Sequence, residues 1–211
     1  MKWWQQYCDR SAINHYHRKR LRQFGCSAKS LGWIDQQSQW QRFAVFAEHI
    51  DFSEQSVLDL GCGFGDFLFY LETETKVCLQ HYMGIDVSSS FITQAKRRDF
   101  ATDCQFIQGD FSLGRLPKAD IVIASGSLNY RSRQTDYVIN MIEKMASTAR
   151  YQVGLNLLDS EKINSTTILN AYNKRGLARY CKARFSHVKC IDNYSDHDFT
   201  LLFSPTGMSA I

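Results

Sequence analysis

The stretch Val57-Leu58-Asp59-Leu60-Gly61-Cys62-Gly63-Phe64-Gly65 constrains the fold of this chain more than any other. An apolar run reaches an acidic residue, then enters a loop with glycine at every second position. Such a loop turns a strand sharply into a helix. It also lets main-chain N–H groups approach a ligand that a Cβ would hold away.

From residue 56 onward, short apolar runs alternate with helical segments. The runs are 56–60, 82–86, 104–108, 119–124, 151–158, 185–191 and 197–203, and the helical segments are 65–73, 89–99, 133–148 and 164–183. This alternation predicts right-handed βαβ units and a mostly parallel sheet with helices on both faces. Only Asp192–Asp196 separates the last two runs, so they form a hairpin and the final strand runs antiparallel. Residues 3–24 and 36–50 have helical composition and are joined by the Gly- and Ser-containing segment 25–35. The expected organisation is an N-terminal helical cap or lid, residues 1–50, on an α/β domain, residues 51–211. In a doubly wound sheet ligands bind outside the C-terminal strand ends, so the loops there should carry the chemistry.

With 44% hydrophobic and 22% charged residues the chain reads as globular. No apolar run approaches the roughly 20 residues of a bilayer span, and the N-terminus lacks a signal-peptide h-region, so no membrane role and a cytoplasmic location are expected. The seven cysteines form no CxxC pair and no Cys/His cluster, so they read as reduced thiols and no metal is expected. His15 and His17 read as solvated surface histidines. Residues 1–50 carry eight Lys/Arg against three acids, while the rest of the chain is near neutral. The run His15-Tyr16-His17-Arg18-Lys19-Arg20 has two readings, a docking arm for nucleic acid and the wet face of a helix.

Three further segments point to a nucleoside-bearing ligand. Met83-Gly84-Ile85-Asp86 ends a second strand in an acid 25 residues after Gly61. A carboxylate there matches the two hydroxyls of a ribose. Its alternative is helix N-capping, a task Ser88 can also perform. Phe106-Ile107-Gln108-Gly109-Asp110-Phe111 closes a third strand, where a carboxylate can accept from an adenine amine and Phe111 can cover the ring. Ala119–Ser127 is a buried strand leading into a small-residue loop.

These four segments, in this order and spacing, resemble the class I S-adenosylmethionine-dependent methyltransferases over residues 54–203. The resemblance implies a Rossmann-like seven-stranded fold, S-adenosyl-L-methionine as cofactor and S-adenosyl-L-homocysteine as product. It carries over Gly61, Gly63, Asp86 and Asp110 as cofactor contacts with Asp59 alongside, and Val87, Phe111 and Ser125 are expected as further cofactor-binding residues. A dinucleotide site fits less well, because GxGxG stands here in place of GxGxxG.

The acceptor side is less marked. Ser125-Gly126-Ser127-Leu128-Asn129-Tyr130 lacks the prolines of the Asn/Asp-Pro-Pro-Tyr/Phe motif found in relatives that methylate bases or glutamine. Asn129 and Tyr130 are substrate candidates, with helix capping as the alternative for Asn129. Asn156 sits inside an apolar strand, where either a ligand or the backbone can satisfy its amide. Tyr16, Trp33, Gln39 and Arg42 are the cap residues placed to reach a ligand, Arg42 as a clamp for a carboxylate. Trp40 and Phe43 read as core. His197 is a candidate general base, although its hairpin is expected far from the cofactor, and no catalytic residue is assigned. The layout resembles small-molecule enzymes of the trans-aconitate type, with a small metabolite methylated on O or N. The competing readings are an RNA or protein methyltransferase docking through the basic N-terminal helix, and a non-catalytic cofactor-binding subunit.

Overall fold

A computed structural model describes residues 3–205, so Met1, Lys2 and the last six residues of the expected 51–211 unit lie outside it. Seven strands form one sheet: β1 (Ser56–Leu60), β2 (His81–Asp86), β3 (Cys104–Gln108), β4 (Ala119–Ser125), β5 (Ala149–Leu158), β6 (Ser186–Ile191) and β7 (Asp198–Ser204). Their order is β3-β2-β1-β4-β5-β7-β6, with β7 antiparallel to both of its neighbours. Each strand matches an apolar run of the sequence to within two residues.

The sheet has a core on each face. Successive β4 residues point to opposite sides, so Ile121 and Ile123 join one cluster while Val122 and Ala124 join the other. The Val122 side packs against α5 (Tyr137–Thr148) and α6 (Lys174–Lys182) through Met141, Ile142, Met145 and Leu177. The Ile121 side packs against α2 (Gln36–His49), α3 (Asp66–Tyr70) and α4 (Ser89–Ala95) through Phe43, Phe46, Phe67 and Ile92. Phe43 is core, as its aromatic spacing predicts. Trp40 is half-buried against Tyr70, with ring centroids 5.5 Å apart.

The N-terminal segment does two different things. Its second helix, α2, is a layer of the sheet's core. It opens on a capping box in which Asp35 accepts from Ser38 N–H at 2.7 Å and Ser38 Oγ accepts from Asp35 N–H at 3.2 Å. The first helix, α1 (Trp3–Phe24), lies across the C-terminal edge of the sheet. Asp9 accepts from Arg133 N–H at 2.8 Å and from Ser132 Oγ at 3.1 Å, tying α1 to the loop after β4. Arg10 Nε stands 3.3 Å from Asp110 Oδ2 and ties it to the loop after β3.

One helix differs clearly from the sequence reading: α6 starts at Lys174, ten residues later than expected. Residues 159–173 form a loop because their short polar side chains compete for the backbone. Thr166 Oγ1 accepts from Leu169 N–H, Ser165 Oγ accepts from Ala171 N–H, and Asn173 caps α6 through Gly176 N–H.

Candidate active site

The strands β1, β2, β3 and β4 end around a cavity of about 280 Å³, roofed by α1 and by the segment 31–34. Of the sequence-predicted site residues, Asp59, Gly61, Gly63, Asp86, Val87, Asp110, Phe111, Ser125, Asn129, Tyr130, Arg42, Tyr16 and Trp33 line it, and Asn156 does not.

Asp59 lies at its floor, 3% exposed. One carboxylate oxygen accepts from the Tyr82 hydroxyl at 2.5 Å, while Oδ1 has no partner. Burial pushes its carboxyl up to about 7; the Tyr82 hydrogen bond opposes this and nearby Asp86 adds to it. Asp86, at the end of β2, accepts from Gly63 N–H at 3.0 Å and from Ser88 N–H at 2.8 Å. Burial raises its carboxyl to about 6 against the pull of those two donors. Ser88 Oγ accepts from Phe91 N–H at 3.3 Å and caps α4, so Asp86 is not the capping residue.

The turn between β1 and α3 requires glycine at 61. The φ there is +85°, and a Cβ would stand 2.2 Å from Ser127 Cβ. Ser127 fills that space and donates its hydroxyl to the Leu60 carbonyl, locking the loop after β1 to the loop after β4. Gly126 makes the same allowance for the cap: at φ +72° a Cβ would meet Trp33 Cη2 at 2.5 Å, so the edge of the indole abuts the main chain there.

Asp110 accepts from Ser112 N–H at 2.9 Å and from Ser112 Oγ at 2.6 Å, besides facing Arg10. Phe111 and Val87 border it. The cap contributes Tyr16 and His17. His17 is buried, contrary to the surface reading of the sequence: its Nδ1 contacts the Ser30 carbonyl at 3.0 Å and its ring meets Phe91, Tyr130 and Tyr16 at centroid distances of 4.9–5.2 Å. Burial lowers its imidazole to about 4, so it is neutral at physiological pH. His15 is exposed.

Four acceptor-side expectations change. Asn156 is fully buried behind the cavity wall and its amide is already used. Its Oδ1 accepts from Ser125 Oγ at 2.8 Å, and its Nδ2 donates to Thr200 Oγ1 at 2.6 Å, because β4, β5 and β7 place these residues in register. Arg42 is not a free clamp: it pairs with fully buried Asp198, donates to the Ser38 carbonyl and stacks over Trp33 with its guanidinium carbon 4.5 Å from the ring. Asn129 lines the cavity but braces the end of β5, accepting from Leu158 N–H at 3.0 Å, and is no helix cap. His197 reaches the cavity although its hairpin was expected to be distant. Antiparallel β7 begins where β5 ends, pairing Asp198 with Leu158, which brings residue 197 to the ligand edge. Tyr130 donates to the Leu31 carbonyl at 3.3 Å, and Gln39 to Asp66 at 3.1 Å.

Asp9, Arg10, Ile163 and Leu169 also line the cavity and carry no local sequence signal. They come from α1 and the 159–173 loop, whose placement depends on long-range contacts. Among the described residues no group of three or more His, Cys, Asp or Glu could hold a metal ion, and no helix is long and apolar enough to cross a membrane.

Comparison with known proteins agrees with this geometry. Residues 51–176 match a family model described as a methyltransferase domain. A candidate methyltransferase of Mycobacterium tuberculosis H37Rv, Rv1506c, is 29% identical over 157 residues, covering 70% of this chain and 91% of that protein. Among solved structures, the DhpI complex with S-adenosylhomocysteine superposes with a TM-score of 0.69 at 15% identity, covering 93% and 96% of the two chains. Magnesium protoporphyrin IX methyltransferase of Synechocystis PCC 6803, with the same ligand, gives 0.65 at 16% identity and coverage of 94% and 98%. These likenesses are to the fold. With the family model spanning more than half of its length, the chain belongs to the methyltransferase-domain family.

Proposed function

We propose that this protein transfers the methyl group of S-adenosylmethionine to an oxygen or nitrogen of a small metabolite. The observation that carries this reading is Asp59 Oδ1, a buried carboxylate oxygen at the cavity floor with no hydrogen-bond partner. An orphaned acceptor there suits a cationic ammonium, such as the one on the cofactor's amino-acid end. Gly61 and Gly63 line the cavity beside it, with the Gly63 N–H held on Asp86. Asp86 keeps a free lone pair on each oxygen for a ribose diol, and Val87, Asp110 and Phe111 suit the base. When bound, the cofactor supplies a methyl group already activated on a sulfonium. The protein's part is to orient the two ligands and exclude water, and α1 serves as the lid over them.

A small acceptor is favoured because α1 roofs the cavity. The trans-aconitate-like subtype is not retained, since Arg42 is committed to Asp198. A second reading keeps some support from Arg18, Lys19 and Arg22, which are exposed on α1 and could dock RNA. Steep loss of RNA binding with salt would favour it. A non-catalytic subunit would bind cofactor yet release no S-adenosylhomocysteine with any acceptor.

The test is Asp86→Ala, titrated with S-adenosylhomocysteine by calorimetry. Loss of a charge-assisted bidentate contact should cost about 2–3 kcal/mol of affinity with the fold retained. Affinity within about twofold of wild type (well under 1 kcal/mol) would refute the ribose assignment.

A further inference from the structure

The charges around the cavity are already balanced inside the protein, and this restricts what the acceptor can be. Arg10 faces Asp110, Asp9 faces Arg133, and Arg42 faces Asp198. Arg131 has no carboxylate partner among the described residues, but it stands exposed at the rim and donates to the Thr166 carbonyl at 3.3 Å. The other two lining carboxylates, Asp59 and Asp86, are those given above to the cofactor, so among the described residues the acceptor side holds no buried cation that is free of a carboxylate. An acceptor carboxylate or phosphate placed there would be desolvated with no buried cation free to meet it.

The wall beside the loop after β4 is apolar. Trp33 abuts Gly126 with the edge of its ring and carries Arg42 against it, and the indole stays partly exposed. Leu158, Ile163 and Leu169 continue the surface, and Ile34, 72% exposed, extends it to the mouth. A concave site lined mainly by apolar and aromatic side chains with few polar groups suits an apolar ligand.

From this, and resting on the cofactor reading above, we propose that the acceptor is an uncharged, planar, mainly apolar molecule, an aromatic alcohol or amine, seated against Trp33. Aromatic surface and excluded charge select it together. The arrangement discriminates against the anionic counterpart of the same ring.

The test uses wild-type protein saturated with S-adenosylhomocysteine and matched probe pairs: indole against indole-3-carboxylate, and 4-methylcatechol against 3,4-dihydroxybenzoate. Binding is followed by calorimetry or ligand-observed NMR. The neutral member should bind about tenfold or more tighter than its carboxylate, and Trp33→Ala should weaken it by about the same factor. Equal or tighter binding of the carboxylates would overturn the proposal. If Arg131→Gln then abolished that binding, the rim arginine would be an anion clamp instead. No binding of either neutral probe would also overturn it. The parallel titration with S-adenosylhomocysteine separates the two levels of argument, because its failure removes the cofactor reading itself.

Discussion

Lowering the pH from 8 to 6 is expected to weaken S-adenosylhomocysteine binding about tenfold, and Asp59→Asn is expected to remove that dependence. The reasoning starts from a carboxyl that burial has raised to about 7 in the ligand-free protein. An ammonium group needs the ionised form, which is nearly complete at pH 8 and about one-tenth populated at pH 6, a difference of about 1.4 kcal/mol. Below pH 6 the Asp86 carboxyl, raised to about 6, should steepen the loss. Stability of the free protein should move the opposite way. Both groups hold protons in the folded state that they release on unfolding, so their contribution is fully present below about pH 4 and is lost as pH rises through 6 and 7. The stabilisation added by ligand should therefore grow with pH while the free protein weakens. Calorimetry in two buffers of different ionisation enthalpy reads the proton directly: close to one released per ligand at pH 6 and about a tenth of one at pH 8. Affinity that is flat across this window, or a tenfold slope that survives in Asp59→Asn, would refute the assignment.

Two further outcomes are expected. Asp198→Asn should destabilise the protein by about 3 kcal/mol because it leaves the Arg42 guanidinium buried without its carboxylate, and Arg42→Met with Asp198→Leu should recover most of that loss in urea unfolding. Gly61→Ala should cost about 2 kcal/mol or more and abolish cofactor binding, since the new methyl meets Ser127 at a positive φ; unfolding and titration of the same variant check both.

The parts of this molecule written in local sequence were legible. Buried strands show as continuous apolar runs, and the turn at Gly61 shows because no other residue type fits it. Asp86 shows because an acid ending a second strand has few other uses. What stayed hidden depended on pairing across the sheet. Asn156 looked available only while Ser125 and Thr200 were not known to flank it. His197 looked distant until β7 was seen to start against the end of β5. Likewise, His17 sits in a run of basic residues that reads as solvated, and only the return of Ser30, Phe91 and Tyr130 over it buries the ring. The expected helix from 164 failed for a local reason, the Ser, Thr and Asn side chains that capture their own backbone.

The hydroxyl and amide ladder through the sheet has a consequence for folding fidelity. Asp198 through Phe203 are buried on both faces of β7, and four of these six are Phe or Leu, so greasiness alone does not distinguish one alignment of the strand from the next. The ladder does. Ser125 donates to Asn156, Asn156 to Thr200 and Thr200 to Tyr194, a one-way chain that closes only when Thr200 stands opposite Asn156. A phase error of one residue would set Phe199 or Leu201 against that amide and break the chain. It would also turn β7 over, exchanging the imidazole of His197 for the carboxylate of Asp198 at the mouth of the cavity and stranding Arg42. Four uncharged side chains thus proofread which functional group the last strand presents to the acceptor.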